Sequence, residues 1–85
     1  MIKENSNVIV YSTFWCGPCK NAKRLLKDRG IDFQEIDIEE RGMSRDDLYD
    51  ITGGRTVPQI VVDGKTIGGF DDLVEIDSSA RAVLG

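Results

Sequence analysis

Residues 14–20 read FWCGPCK. Cys16 and Cys19 are the only cysteines of the 85-residue chain, and Gly17 and Pro18 separate them. Thiols at this spacing serve three chemistries: part of a metal site, a short structural cross-link, or a reversible dithiol–disulfide couple. A structural zinc takes four ligands, commonly Cys and His. The chain has two cysteines and no histidine, so zinc would need carboxylates or a second copy of the chain. A disulfide across two residues closes a very small loop and removes little entropy from the unfolded state. A reducing cytosol would keep such a bond open in any case. Two unrelated buried thiols would suit an apolar stripe, whereas these fall at a strand-to-helix junction. The residue types and spacing favour the redox couple.

The junction explains why. Pro18 suits the first turn of a helix, because it has no N–H to leave unpaired there. Cys16 then lies just before that helix, where unpaired N–H groups and the helix dipole stabilise negative charge. The thiolate is the nucleophile of disulfide exchange. Gly17 lets the backbone turn, and Cys19 on the first helical turn can reach back to Cys16. Cys16 attacks a substrate disulfide and forms a mixed disulfide; Cys19 resolves it, leaving an intramolecular disulfide. A C-x-x-C beside a βαβ pattern is a fairly specific sign of this chemistry. Lys20, Lys23, Arg24, Lys27 and Arg29 follow closely. They form either a solvated helix face or a positive field that favours the thiolate and attracts anionic substrates.

The elements that must position the cysteines follow from the hydrophobic pattern. VIVYS, Val8 to Ser12, reads as a buried strand. A helix from about Pro18 to Arg29 carries Ala22, Leu25 and Leu26 on its apolar side and ends at Gly30. In IDFQEIDI, residues 31–38, the alternation slips between Phe33 and Ile36, so a strand starts near Phe33 or is irregular. Ser44 with Asp47 resembles a capping box for a helix over Ser44 to Ile51, ended by TGGR. PQIVVD is a strand and Asp63-Gly64 a hairpin turn into KTIGG. A last helix runs from about Asp71 to Leu84, with Leu73, Val74, Ile76, Ala80 and Leu84 as its stripe. The order β-α-β-α-β-β-α predicts an α/β fold in which a right-handed first crossover makes a parallel pair and the final hairpin adds antiparallel strands. Val57-Pro58 opens the third strand, since proline cannot sit within a central ladder. Its peptide bond is open to either isomer on residues alone; cis would leave the Val57 backbone exposed to an extended thiol substrate.

Composition bounds the rest. Residues 1–85 read as one domain with a modest core. Eleven basic against 15 acidic side chains give a net charge of −4, which argues against nucleic acid as a partner. No apolar run approaches the roughly 18 residues of a membrane-spanning helix. MIKENSNVIV lacks the apolar core of a signal peptide. The expectation is a soluble, cytoplasmic monomer with no membrane partner.

With these pieces placed, the sequence resembles the glutaredoxins of the thioredoxin-like superfamily. The resemblance covers nearly the whole chain, in VIVYS, the C-x-x-C and above all TVPQIVVDGKTIGGFDDL. It implies a thioredoxin-like, four-stranded mixed sheet with helices on both faces, and a glutathione-dependent thiol–disulfide oxidoreductase with Cys16 as nucleophile and Cys19 as resolving thiol. It implies glutathione as co-substrate and no resident cofactor or metal, with disulfide-containing proteins and the glutathione reductase system as partners. Pro58 would be cis and face the cysteines. The Thr56 and Val57 backbone would bind the cysteinyl part of glutathione, and Gly69, Phe70, Asp71 and Asp72 its γ-glutamyl end. Exposed N–H groups at the start of a helix at GGFDD suit a carboxylate; Asp71 and Asp72 also suit simple helix capping.

The active-site loop departs from the family pattern. Glutaredoxins usually have Pro-Tyr between the cysteines; Gly17-Pro18 with Trp15 in front is the thioredoxin arrangement. The family's lysine shortly before the first cysteine is replaced by Thr13 or Phe14, with Lys20 as a candidate substitute. A second expectation is therefore a glutaredoxin-fold redoxin reduced by thioredoxin reductase, donating electrons to ribonucleotide reductase. Those proteins share the Gly69-Phe70 pair but usually lack the two aspartates. A third is iron–sulfur cluster binding between two subunits through Cys16 and glutathione, which Pro18 disfavours by stiffening the loop.

Overall fold

The structure, a computed structural model, describes residues 6–84, with side chains for residues 6–78. The chain runs β1 (Val8–Ser12), α1 (Gly17–Asp28), β2 (Gln34–Asp37), α2 (Arg45–Thr52), β3 (Gln59–Val62), β4 (Lys65–Gly68) and α3 (Phe70–Leu84). The four strands form one sheet in the order β2-β1-β3-β4. β1 pairs parallel with β2 and antiparallel with β3, and β3 pairs antiparallel with β4. This is the mixed sheet that the element order predicts.

Central β1 is apolar along its length because both faces are covered. Val8 and Val10 pack with Ile60 against Ala22 and Leu26 of α1 and Leu73 of α3. Tyr11 packs on the opposite face with Ile38, Val61 and Leu48 of α2. Each fully buried aliphatic side chain contributes about 1.5–3 kcal/mol. The same two-sided burial explains the slip in IDFQEIDI. Ile31 and Phe33 join the α1–α3 face, while Ile36 and Ile38 join the α2 face. β2 itself is regular against β1; the apolar residues change face, and the strand starts at Gln34.

The expected caps are present. Gly30 follows the end of α1 at φ +70°. Ser44 accepts from Asp47 N–H at 3.0 Å while Asp47 accepts from Ser44 N–H at 2.9 Å, completing the capping box of α2. Gly53 closes that helix in the left-handed region. Asp63 and Gly64 both have positive φ, as a two-residue type I′ hairpin requires. The stripe of α3 needs correction: Leu73 is buried, but Val74, one residue on and so about 100° around the helix, is exposed. Ala80 and Leu84 lie outside the described side chains.

One irregularity was not visible in the sequence. Ile60 pairs with Gly68 while Val61 pairs with Thr66, so Ile67 is an extra residue on β4. This bulge, with Gly68 at φ +111°, turns the chain from β4 into the start of α3.

Candidate active site

The loop carrying the cysteines leaves the end of β1, and that end is anchored. Ser12 is fully buried and donates its hydroxyl to Glu35 Oε2 at 2.7 Å. Lys23 Nζ reaches the same oxygen at 2.7 Å. Glu35 thereby ties β1, β2 and α1 together beneath the loop. The Lys23 hydrogen bond, helped by Ser12, holds the Glu35 carboxyl below its ordinary range against the opposing effect of partial burial.

Thr13 is buried, and its carbonyl accepts the Cys16 N–H at 3.3 Å. Cys16 takes extended backbone angles as the N-cap of α1, and its Sγ accepts the Cys19 N–H at 3.1 Å. An N-cap side chain normally satisfies an orphan amide with oxygen; here sulfur does so. The geometry stabilises negative charge on Cys16 by an amide and by the helix N-terminus. The two sulfurs are joined in a disulfide, with Cα atoms 5.2 Å apart. Both cysteines are nearly inaccessible, Cys16 at 4% and Cys19 at 0% exposure. Cys16, the slightly exposed residue of the two, is the one a substrate can reach first.

Across from Cys16 lies the turn into β3. The Val57–Pro58 bond is cis, as the resemblance implies. The Val57 carbonyl lies 3.5 Å from Cys16 Sγ, placed to accept a hydrogen bond from the thiol when the pair is reduced. An open groove of about 580 Å³ starts at Pro18 and continues past Thr56, Val57 and Pro58 to Gly69, Phe70, Asp71 and Asp72. Every residue assigned to substrate binding from the sequence therefore lies on one continuous surface.

The far end of the groove is the first turn of α3. Gly69, just before that helix, has no side chain to cap it. Instead Asp72 turns back, and its Oδ2 accepts the Gly69 N–H at 2.9 Å. The first-turn amides beyond Gly69 have no intrahelical acceptors, so they present donors to an anion in the groove. The capping role foreseen for Asp72 is thus present, and its second carboxylate oxygen is left for a ligand.

The loop residues Trp15, Gly17 and Lys20 do not line the groove. Trp15 points outward and donates its indole N–H to Glu39 Oε1 at 2.6 Å. Gly17 is the exposed first residue of α1, and Lys20 is exposed. Of the basic run, Lys23 is paired with Glu35 and Arg29 with Asp77. Lys20, Arg24 and Lys27 remain as an exposed positive face.

Two features escaped the sequence reading. Gln59 is a buried polar residue whose side chain lies so close to Gly54 that a Cβ there would overlap its amide. Its amide nitrogen contacts Thr56 Oγ1 at 3.5 Å, which sets the wall of the groove. A glutamine inside the otherwise apolar run of β3 was the available signal. The Trp15–Glu39 bond joins residues 24 apart, and no local pattern announces it.

A family model described as glutaredoxin matches residues 8–67, from the start of β1 into β4. The chain belongs to the glutaredoxin family. Glutaredoxin 3 of Escherichia coli strain K12 is 40% identical over 73 residues, covering 86% of this chain and 88% of that one. The glutaredoxin of Pseudomonas aeruginosa is 39% identical over 74 residues, covering 87% and 88%. Among solved structures, a buckwheat glutaredoxin–glutathione complex superposes with a TM-score of 0.79 at 30% identity, over 94% of this chain and 76% of that one. Glutaredoxin 1 of Francisella tularensis, complexed with cacodylate, gives 0.66 at 29% identity over 93% and 96%. This glutaredoxin is a dithiol enzyme of glutathione-dependent thiol–disulfide exchange, with Cys16 and Cys19 as its redox pair.

Proposed function

We propose that Cys16 is the attacking thiolate, that Cys19 is the resolving thiol, and that the groove from Pro18 to Asp72 holds glutathione. The observation that carries this assignment is the placement of Cys16 Sγ. It lies 3.1 Å from an amide that stabilises the thiolate and 3.5 Å from the Val57 backbone at the mouth of the groove. A glutathione cysteine running beside Thr56 and Val57 pairs with that backbone and brings its sulfur to Cys16. The γ-glutamyl carboxylate then meets the first-turn amides of α3, with the free oxygen of Asp72 available to its ammonium.

The exchange balances without another reactant. The Cys16 thiolate attacks the glutathione sulfur of a mixed disulfide; a Cys16–glutathione bond forms and the substrate leaves as thiolate. A second glutathione then attacks the glutathione sulfur of that bond, forming glutathione disulfide and releasing the Cys16 thiolate; alternatively Cys19 attacks the Cys16 sulfur. Cys19 attack releases glutathione and closes the Cys16–Cys19 disulfide, which two glutathiones reopen with formation of glutathione disulfide. Protein disulfides enter by the same attack. On the strength of the resemblance, disulfide-containing proteins are the partners, with ribonucleotide reductase the one tied to the redoxin reading.

The deciding experiment follows NADPH loss with the oxidised protein, once with glutathione plus glutathione reductase and once with thioredoxin reductase. Turnover with glutathione supports the groove assignment. Turnover with thioredoxin reductase alone would overturn it. The redoxin reading, which the outward-facing Trp15 and the Gly17-Pro18 pair favour, would take its place.

A further inference from the structure

Glutathione on the groove side leaves the other flank of Cys16 without an occupant. Phe14 and Trp15, which immediately precede Cys16 in the chain, are 76% and 56% exposed. Neither lines the groove. Two large aromatic side chains left in water beside a nucleophile are the residue type that anchors protein interfaces.

Trp15 is fixed before any partner arrives. Its indole bond to Glu39 is short and charge-assisted, and Glu39 is itself held in place. Asp37 Oδ1 accepts the N–H groups of Glu39 and Glu40 at 3.0 and 3.2 Å. The Ile38 N–H bonds the Ser12 carbonyl at 2.9 Å, fastening the same turn to the end of β1. The turn therefore presents Asp37, Glu39 and Glu40 as an acidic rim beside the aromatic pair. None of the three is in an ion pair among the described residues. Glu39 bonds an uncharged indole, so its negative charge is not cancelled; Arg41, which follows the rim in the chain, and Lys20 of α1 are exposed cations.

From this we infer that the Phe14–Trp15 lip with its Asp37, Glu39 and Glu40 rim docks polypeptide disulfides that carry apolar and basic residues beside the reacting cysteine. The charge of the rim selects the occupant. Glutathione is a net anion and is disfavoured there, while the amides of α3 attract its carboxylate on the opposite side. A pre-positioned ring loses little freedom on contact, which preserves binding energy. The inference rests on the groove being the glutathione side, and it divides the active site into two separately alterable flanks.

The test uses the pre-reduced protein and three disulfides. Two are cystine-bridged peptides with the same loop, one flanked by Phe-Lys-Lys and one by Ser-Glu-Glu. The third is the mixed disulfide of glutathione and mercaptoethanol. The wild type should reduce the Phe-Lys-Lys peptide faster by about tenfold at low ionic strength, with the gap shrinking as salt screens the rim. Glu39→Gln combined with Glu40→Gln should bring the two peptides to within roughly threefold of each other, as expected when rim charges are lost. Trp15→Ala should slow the Phe-Lys-Lys peptide roughly fivefold more than the Ser-Glu-Glu peptide, the scale of losing an aromatic anchor. Because these are ratios, a general change in Cys16 reactivity does not move them. Equal peptide rates in the wild type, preference for the acidic peptide, or no reduction of either peptide would each overturn the inference. Failure with the glutathione mixed disulfide while the peptide preference persists would instead overturn the groove assignment and leave the lip standing.

Discussion

Gly68 offers a direct test of how the bulge in β4 builds the far end of the groove. Its φ of +111° lies in a region closed to residues with a Cβ, and a Cβ built there would overlap the Asp72 carboxylate. Gly68→Ala therefore has two consequences. Forcing an L-residue into such backbone geometry costs about 1–3 kcal/mol. Displacing Asp72 from the Gly69 N–H removes a helix-capping bond worth about 0.5–2 kcal/mol. The combined loss is about 2–4 kcal/mol, since neither part reaches its maximum if the chain relaxes. At about 4–8 °C per kcal/mol for a domain of this size, the midpoint of thermal unfolding should fall by roughly 8–30 °C. Urea unfolding of Gly68→Ala, Asp72→Ala and the double variant separates the two contributions. Asp72→Ala removes the overlap but not the backbone strain, so the double variant should stay well below Asp72→Ala alone. The KM for a glutathione mixed disulfide should rise in Gly68→Ala, while alkylation of reduced Cys16 by iodoacetamide keeps its rate. A Gly68→Ala protein within about 0.5 kcal/mol of wild type, the ordinary scatter of surface substitutions, would refute this reasoning. Equal stability of the double variant and Asp72→Ala would refute the strain component alone.

Three further outcomes are expected. Cys16→Ser should abolish exchange with every disulfide, whereas Cys19→Ser should accumulate mixed disulfides on Cys16 and keep single-thiol turnover with glutathione; mass spectrometry of the trapped species checks both. The Glu35 carboxyl has its pKa lowered by Lys23 and Ser12, so its contribution to stability is present above the unfolded carboxyl pKa near 4.5 and is lost as pH falls through the lower folded value. Glu35→Gln should flatten that acid limb in urea titrations; the effect is small, because Glu35 is 39% exposed and solvent screens the pair. Ser44→Ala opens the capping box of α2 and should cost about 1 kcal/mol, read as a lower urea midpoint with unchanged slope.

The parts of the fold legible in the sequence were those set by local chemistry. VIVYS placed β1 at its observed bounds, because five consecutive residues of strand type allow little else. Gly30, the Ser44–Asp47 box and Asp63-Gly64 marked their boundaries, because each depends on backbone angles or a hydrogen bond within a few residues. The redox pair was legible for the same reason, because Cys16, Pro18 and Cys19 share one turn; the assignment of Thr56 to Pro58 and Gly69 to Asp72 to glutathione was carried by the family resemblance, not by local chemistry. Features that failed to show were long-range. The change of face between Phe33 and Ile36 reads as a slip until two layers are known to cover β2. The bulge at Ile67 depends on where β3 pairs, and the bonds of Trp15 to Glu39 and of Ser12 to Glu35 join residues more than 20 positions apart.

Two motifs in this chain point to different relatives, and the structure puts them on different pieces. The cysteine loop hangs from β1 and opens α1. The groove belongs to the turn into β3, the end of β4 and the first turn of α3. Pro18 alone belongs to both, since it separates the cysteines and edges the groove. Exchanging Pro-Tyr for Gly17-Pro18 therefore alters the balance between dithiol and disulfide, and removes an aromatic neighbour from one edge of the ligand. It leaves the Val57 backbone, the amides of α3 and Asp72 where they are. Dithiol potentials in thioredoxin and glutaredoxin differ by about 40–70 mV, which is roughly 2–3 kcal/mol for two electrons. A shift of that size changes how readily glutathione reduces the protein without deciding which molecule the groove accepts. On the proposed assignment of the groove to glutathione, replacing Gly17-Pro18 by Pro-Tyr should move the potential far more than the preference for glutathione.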